Sequence, residues 1–161
     1  MIKTFTSSPF TRPADTTAYA SGDLVANSTT AGSVVFPTIS AQNVPGGTGR
    51  IKRAFVKKSG TGVTNAAFRV HVHNAAIGAP TNGDNGVWLT PQASWLGSYD
   101  VTVDKAFTDG ALGVSAAADI PFDLPAGVNR LYLSLEARGA YTPASAEVFR
   151  ISLDIDQDPV V

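Results

Sequence analysis

The sequence predicts an all-β fold, an antiparallel β-sandwich of jelly-roll-like type with an extended N-terminal arm. Three stretches carry that expectation. In residues 129–137, Leu131, Leu133 and Leu135 alternate with Arg130, Tyr132, Ser134 and Glu136. In residues 147–156, Phe149, Ile151, Leu153 and Ile155 alternate with Arg150, Ser152, Asp154 and Asp156. Residues 67–74 set Phe68, Val70 and Val72 against Arg69, His71 and His73. A period of two belongs to a strand with one face in a core and one in water. His71 and His73 are therefore expected on an outer, exposed face.

The remaining elements follow in chain order. Residues 2–6 form a short strand, followed by a Pro/Ser/Thr-rich approach in which Arg12-Pro13 and Asp15-Thr16-Thr17 read as turns, because a residue before proline avoids the helical region. Residues 1–17 are expected to be an arm laid over the domain or over a neighbour. Tyr19, Leu24 and Val25 anchor the next segment, with a strand starting in 24–27. Residues 33–40 are a strand candidate broken by Pro37, which suits an edge or a bulge. A turn is expected at 44–49. Residues 50–59 carry Ile51, Ala54, Phe55 and Val56 among Arg50, Lys52, Arg53, Lys57 and Lys58. That alternation is imperfect, as a bulge or burial on both faces would make it.

Residues 75–94 are irregular, punctuated by Pro80, Asn82-Gly83, Asp84-Asn85-Gly86 and Pro91; loops of this length are functional or mobile. A strand follows over 95–103 through Leu96, Tyr99, Val101 and Val103, with short strands at 111–114 and 120–124. Residues 115–119 are expected to make one helical turn. About eight to ten short strands without an amphipathic helix describe a sandwich, jelly roll or barrel. No repeat or linker divides the chain, so residues 1–161 are read as one domain.

At 161 residues the chain can bury about 70% of the surface its unfolded form exposes, so no staple is needed. It has no cysteine, and its 12 basic and 13 acidic residues nearly balance. That balance argues against nucleic acid as a partner, which calls for clustered cations. No run approaches the ~20 apolar residues of a membrane span. The first ten residues lack the apolar region of a signal peptide, so synthesis and folding in the cytoplasm are expected. Charged residues make up 16%, below the ~25% usual for soluble domains. A surface of small neutral residues suits a protein covered by neighbours.

No motif supplies catalytic chemistry. His71 and His73 point the same way on one strand and could meet a metal if Glu136, Asp154 or Asp156 adjoined. They are the only histidines, and surface positions explain them better, so no metal is assigned. Gly113-Val114-Ser115-Ala116-Ala117 lacks the last glycine of a nucleophile elbow. The glycines at 46–49 lack the Lys-Ser/Thr of a phosphate loop. No catalytic residue and no cofactor is assigned, and the chain reads as non-enzymatic. Trp88, Trp95 and Tyr99 frame the long loop. Pro91 interrupts any shared strand, so core or protein contact is favoured over a sugar-stacking platform.

The run Phe10-Thr-Arg-Pro-Ala-Asp-Thr-Thr-Ala-Tyr-Ala-Ser-Gly-Asp-Leu-Val-Ala-Asn-Ser28 resembles an opening found in structural proteins of tailed bacteriophages. Gly49–Ile51, the strand ending in Lys-Lys-Ser59 and Arg-Val-His-Val-His-Asn74 are similar in the same way. The resemblance implies a small virion protein of the head decoration (cement) type, made in the host cytoplasm and placed on the capsid exterior. Its partners would be the major capsid protein lattice and its own copies, as a dimer or trimer. Interface contacts are expected from Phe5, Phe10, Arg12, Tyr19, Trp88 and Trp95, with the arm adding a strand to a neighbour. The alternative is a receptor- or glycan-binding module of a phage fibre or tail, using the loop and its aromatics.

Overall fold

The fold is that of a computed structural model, which describes residues 1–41 and 46–159. Eleven antiparallel strands form among these residues: β1 (Ile2–Thr6), β2 (Phe10–Thr11), β3 (Leu24–Val25), β4 (Thr38–Ser40), β5 (Thr48–Lys58), β6 (Ala67–His73), β7 (Trp95–Phe107), β8 (Gly110–Val114), β9 (Ile120–Asp123), β10 (Arg130–Ala137) and β11 (Val148–Gln157). Pairing follows the path β1-β11-β5-β8-β7-β6-β10-β3. The all-β antiparallel class is therefore what the chain adopts. The pairing links all the strands into one sheet, which bends into two layers.

The bend lies in β7. Its first part pairs with β6, from Trp95 opposite His73 to Thr102 opposite Ala67, and from Val103 onward it pairs with β8. A strand that changes partners midway makes the corner between two layers. Gly113 of β8 sits at this corner because a Cβ there would lie 2.3 Å from the Thr102 carbonyl oxygen. The first layer holds β1, β2, β11, β5, β8 and β9; the second holds β3, β4, β10 and β6.

The alternating residues meet between the layers. Ile151, Leu153 and Ile155 of β11 and Leu131, Leu133 and Leu135 of β10 are all buried in one core with Val70 and Val72. Phe68 of β6 meets Phe149 of β11 edge-on at 5.6 Å, and the Tyr99 hydroxyl donates to the Ile51 carbonyl at 2.7 Å. In β5, Ile51 and Arg53 face Ile155 and Asp154, which leaves Lys52 as an extra residue. That bulge is why Ile51, Ala54 and Val56 all point inward despite their uneven spacing.

Three local expectations change. Residues 115–119 are extended rather than helical, since the Ala54 N–H is accepted by Ser115 Oγ and the Ala118 N–H by the Lys52 carbonyl. Within 33–40 only β4 pairs, after a single 3-10 turn at Ala31–Ser33. The turn at 44–49 lies partly outside the described residues. The arm's strand is added to its own chain. β1 pairs with β11 from Ile2 opposite Asp156 to Thr6 opposite Ser152. Thr4 Oγ1 donates to Asp154 at 2.6 Å, which helps to fix that register.

Beyond β2 the arm dives inward. Arg12 and Asp84 form an ion pair at 3.1 Å whose side chains are both fully buried. Arg12 Nε also donates to the Tyr19 hydroxyl at 2.8 Å, and that hydroxyl donates to Asp84 at 2.7 Å. Asp84 further accepts the Ala26 N–H at 2.8 Å. Burial pushes the Asp84 carboxyl up, and these three donors hold it back. Breaking one side of such a pair strands a buried charge. Arg12→Met and Asp84→Leu should each lower stability by about 3–5 kcal/mol in urea unfolding, and the double variant by less than the sum.

Candidate docking face

The outer side of the second layer is not bare. Residues 24–38 and 75–94 lie over it as a lobe with its own small core. Trp88 is buried there with Leu24 and Ala26, and Val34, Phe36 and Ile77 pack around them. Its ring lies 5.3 Å from that of Phe36. Backbone bonds stitch the lobe together: Trp88 N–H to the Gly22 carbonyl, Leu24 N–H to that of Gly86, Asn85 N–H to that of Leu24 and Asp84 N–H to that of Ser28. Gly83 allows the closest of these approaches, since a Cβ there would lie 2.2 Å from the Thr29 carbonyl oxygen.

His71 and His73 fasten the far end of the loop. Both point outward from β6 as the period of two requires, yet both are buried, because the loop covers them. His73 bonds Ser94 Oγ through Nδ1 and Thr90 Oγ1 through Nε2, each at 3.0 Å. The Trp95 indole N–H donates to His71 Nδ1 at 3.2 Å, and His71 Nε2 lies 2.6 Å from Glu136. An indole N–H can only donate, so Nδ1 must be bare and Nε2 must carry the proton shared with Glu136. Glu136 also accepts from Arg138 at 2.8 Å.

Of the possible metal partners, only Glu136 adjoins a histidine. Asp154 is in the other layer, paired with Arg53 at 2.8 Å, and Asp156 lies farther along the same strand. No three His, Asp or Glu side chains converge among the described residues.

The six expected contact residues separate by burial. Arg12, Tyr19 and Trp88 are interior: the first two are held by Asp84, and the third fills the lobe. Phe5 and Phe10 are partly buried against the main core, Phe10 stacked on Phe149 at 5.8 Å. Trp95 is 44% exposed. With Trp88 inside, the two tryptophans form no joint platform for a sugar.

What the lobe does present is uncharged, with three large apolar side chains turned outward. Val35, Val87 and Leu89 are 70%, 61% and 84% exposed. Val87 and Leu89 flank a groove of about 230 Å³ that Ala79, Pro80 and Pro91 also line. From residue 24 to 49 there is no Asp, Glu, Lys or Arg, and from 70 to 99 the sole one is Asp84, which is interior. The outer side of the first layer is the opposite, with Arg50 and Lys52 on Asp119, Arg53 on Asp154, and Lys57 beside Arg150. The neutral stretches were readable in the sequence as gaps in the charge pattern; the meeting of residues 24–38 with 75–94 in space was not.

No protein-family model matches this chain, and no curated protein matches it.

Burial, with His71 nearby, lowers the His73 imidazole to about 4. An unfolded histidine takes up its proton near 6.5. Between those values the unfolded chain binds more protons, so stability falls as pH drops from 6.5 toward 4. Acidification from pH 7 to 4.5 should cost on the order of 2 kcal/mol through His73 alone. Urea unfolding at the two pH values should show a smaller difference in His73→Gln than in the unsubstituted chain.

Proposed function

We propose that this chain is a non-enzymatic structural protein that docks through its uncharged lobe. The single observation that carries this reading is the contrast between the uncharged lobe, with exposed Val35, Val87 and Leu89, and the ion-laced outer side of the first layer. Docking a neutral face strips water from no formal charge and so avoids the desolvation that opposes burial of ions. Cores of protein interfaces are depleted of charge in the same way. The buried Arg12–Asp84 pair and the histidine clamps hold the lobe in shape beforehand, which reduces the ordering cost of association.

The partner is drawn from the resemblance of residues 10–28, 49–59 and 69–74 to tailed-bacteriophage virion proteins. On this reading the lobe sits on the major capsid protein lattice, at the capsid exterior, as a decoration protein that stabilises the shell. Copies gather as dimers or trimers around the lattice symmetry axes. The N-terminal arm contributes rigidity within the subunit, since β11 already holds β1.

Binding of the full chain to purified, expanded heads tests this. Val87→Asp and Leu89→Asp should each reduce occupancy at least about tenfold, the effect of losing roughly 1.4 kcal/mol or more at an interface. Lys57→Glu, on the opposite side, should leave occupancy unchanged. Full occupancy by both lobe variants rejects the docking face.

A further inference from the structure

The clamp at His71 does more than hold the loop. Its two ring nitrogens face partners of different kinds. Glu136, on Nε2, accepts a hydrogen bond in both the neutral and the protonated state of the ring. Trp95, on Nδ1, can only donate. Adding a proton to the ring strengthens the first contact and abolishes the second, because two N–H groups then face each other.

We propose that His71 is a proton-operated latch on the docking lobe: proton uptake at Nδ1 releases the Trp95 indole from the sheet. The proton comes from solvent, and no other bond is made or broken. The resulting imidazolium finds Glu136 already in place at 2.6 Å, so the charge is paired on arrival. The freed ring, already partly exposed, adds aromatic surface at the end of the segment that carries Leu89.

The charged surroundings set where the latch opens. From β10, Glu136 faces the imidazole, with Arg138 bonded to its other oxygen. From β6 come Arg69 and His73, and from β7 comes Asp100, which holds Arg69 through two bonds of 2.7 and 3.0 Å. Burial pushes the His71 imidazole below its usual value, the Glu136 carboxylate opposes this, and the two arginines reinforce it. The latch is thus closed at neutral pH and opens on acidification below about 6.5.

His73 does not share the behaviour. Its partners Ser94 and Thr90 are hydroxyls, which can donate or accept, so a protonated His73 keeps both bonds. Release is therefore confined to Trp95 while residues 90 and 94 stay fastened. The latch operates in the isolated chain and stands whether or not the lobe docks on a capsid.

Nitrogen-15 spectra of the full chain, recorded from pH 8 to 5 without any partner, test it. The two indole resonances are assigned with Trp95→Phe. The Trp95 signal should move in one titration that coincides with the His71 ring signals, while the Trp88 signal stays fixed. In Glu136→Gln, which removes the supporting charge, both should shift together to lower pH by about one unit or more. In His71→Gln the Trp95 titration should vanish. A Trp95 signal that is flat while His71 titrates overturns the latch, as does one that titrates unchanged in either variant.

Discussion

Arg12 and Asp84 lie 72 positions apart in sequence and meet without access to water. Their pairing brings the end of the arm, the Tyr19 segment and the long loop to one point. A buried ion pair is a poor source of net stability, since desolvation offsets most of the attraction. It is effective at excluding alternatives. No other placement of residues 75–94 would leave the Asp84 carboxylate with the Arg12 guanidinium, the Tyr19 hydroxyl and the Ala26 N–H as donors. The satellite core around Trp88, the cover over His71 and His73 and the neutral outer surface all presuppose that placement. A loop with so little regular structure holds its shape because it is tied at Asp84, at Thr90 and at Ser94.

Much of the frame was legible in the sequence. The inward residues of β6, β10 and β11 follow from alternation alone, and the uneven run in β5 proved to be a bulge at Lys52. Alternation tells which side of a strand a residue takes, not what lies beyond that side. His71 and His73 do point away from the main core; a second layer of chain then buries them. The same limit applies to Trp88, whose pocket is assembled from residues 24–36, far away in sequence. For the arm, a charged residue such as Arg12 gave no sign that an acid 72 positions on would draw it inside. Contacts of that range are invisible to local pattern.

The candidate site was less legible than the fold. Aromatic residues drew attention to Trp88 and Trp95, whereas the outer surface of the lobe is defined by what it lacks. Low overall charge was apparent from composition, but the uncharged lobe depended on two distant stretches, 24–38 and 75–94, being brought together. One group of ions lies on the opposite side, where Asp119 serves both Arg50 and Lys52, and Arg69–Asp100 and Glu136–Arg138 pair on the face that carries His71. Such segregation gives the subunit an orientation: water is displaced easily from the lobe and retained over the ion pairs.

The shared strand β7 has a mechanical consequence. Because its two halves belong to different layers, neither layer can be peeled away while the other remains intact. A load applied across the body is carried along a covalent backbone at the corner, in parallel with the side-chain packing between layers. Opening of one layer is thereby coupled to strain in the other through a single strand.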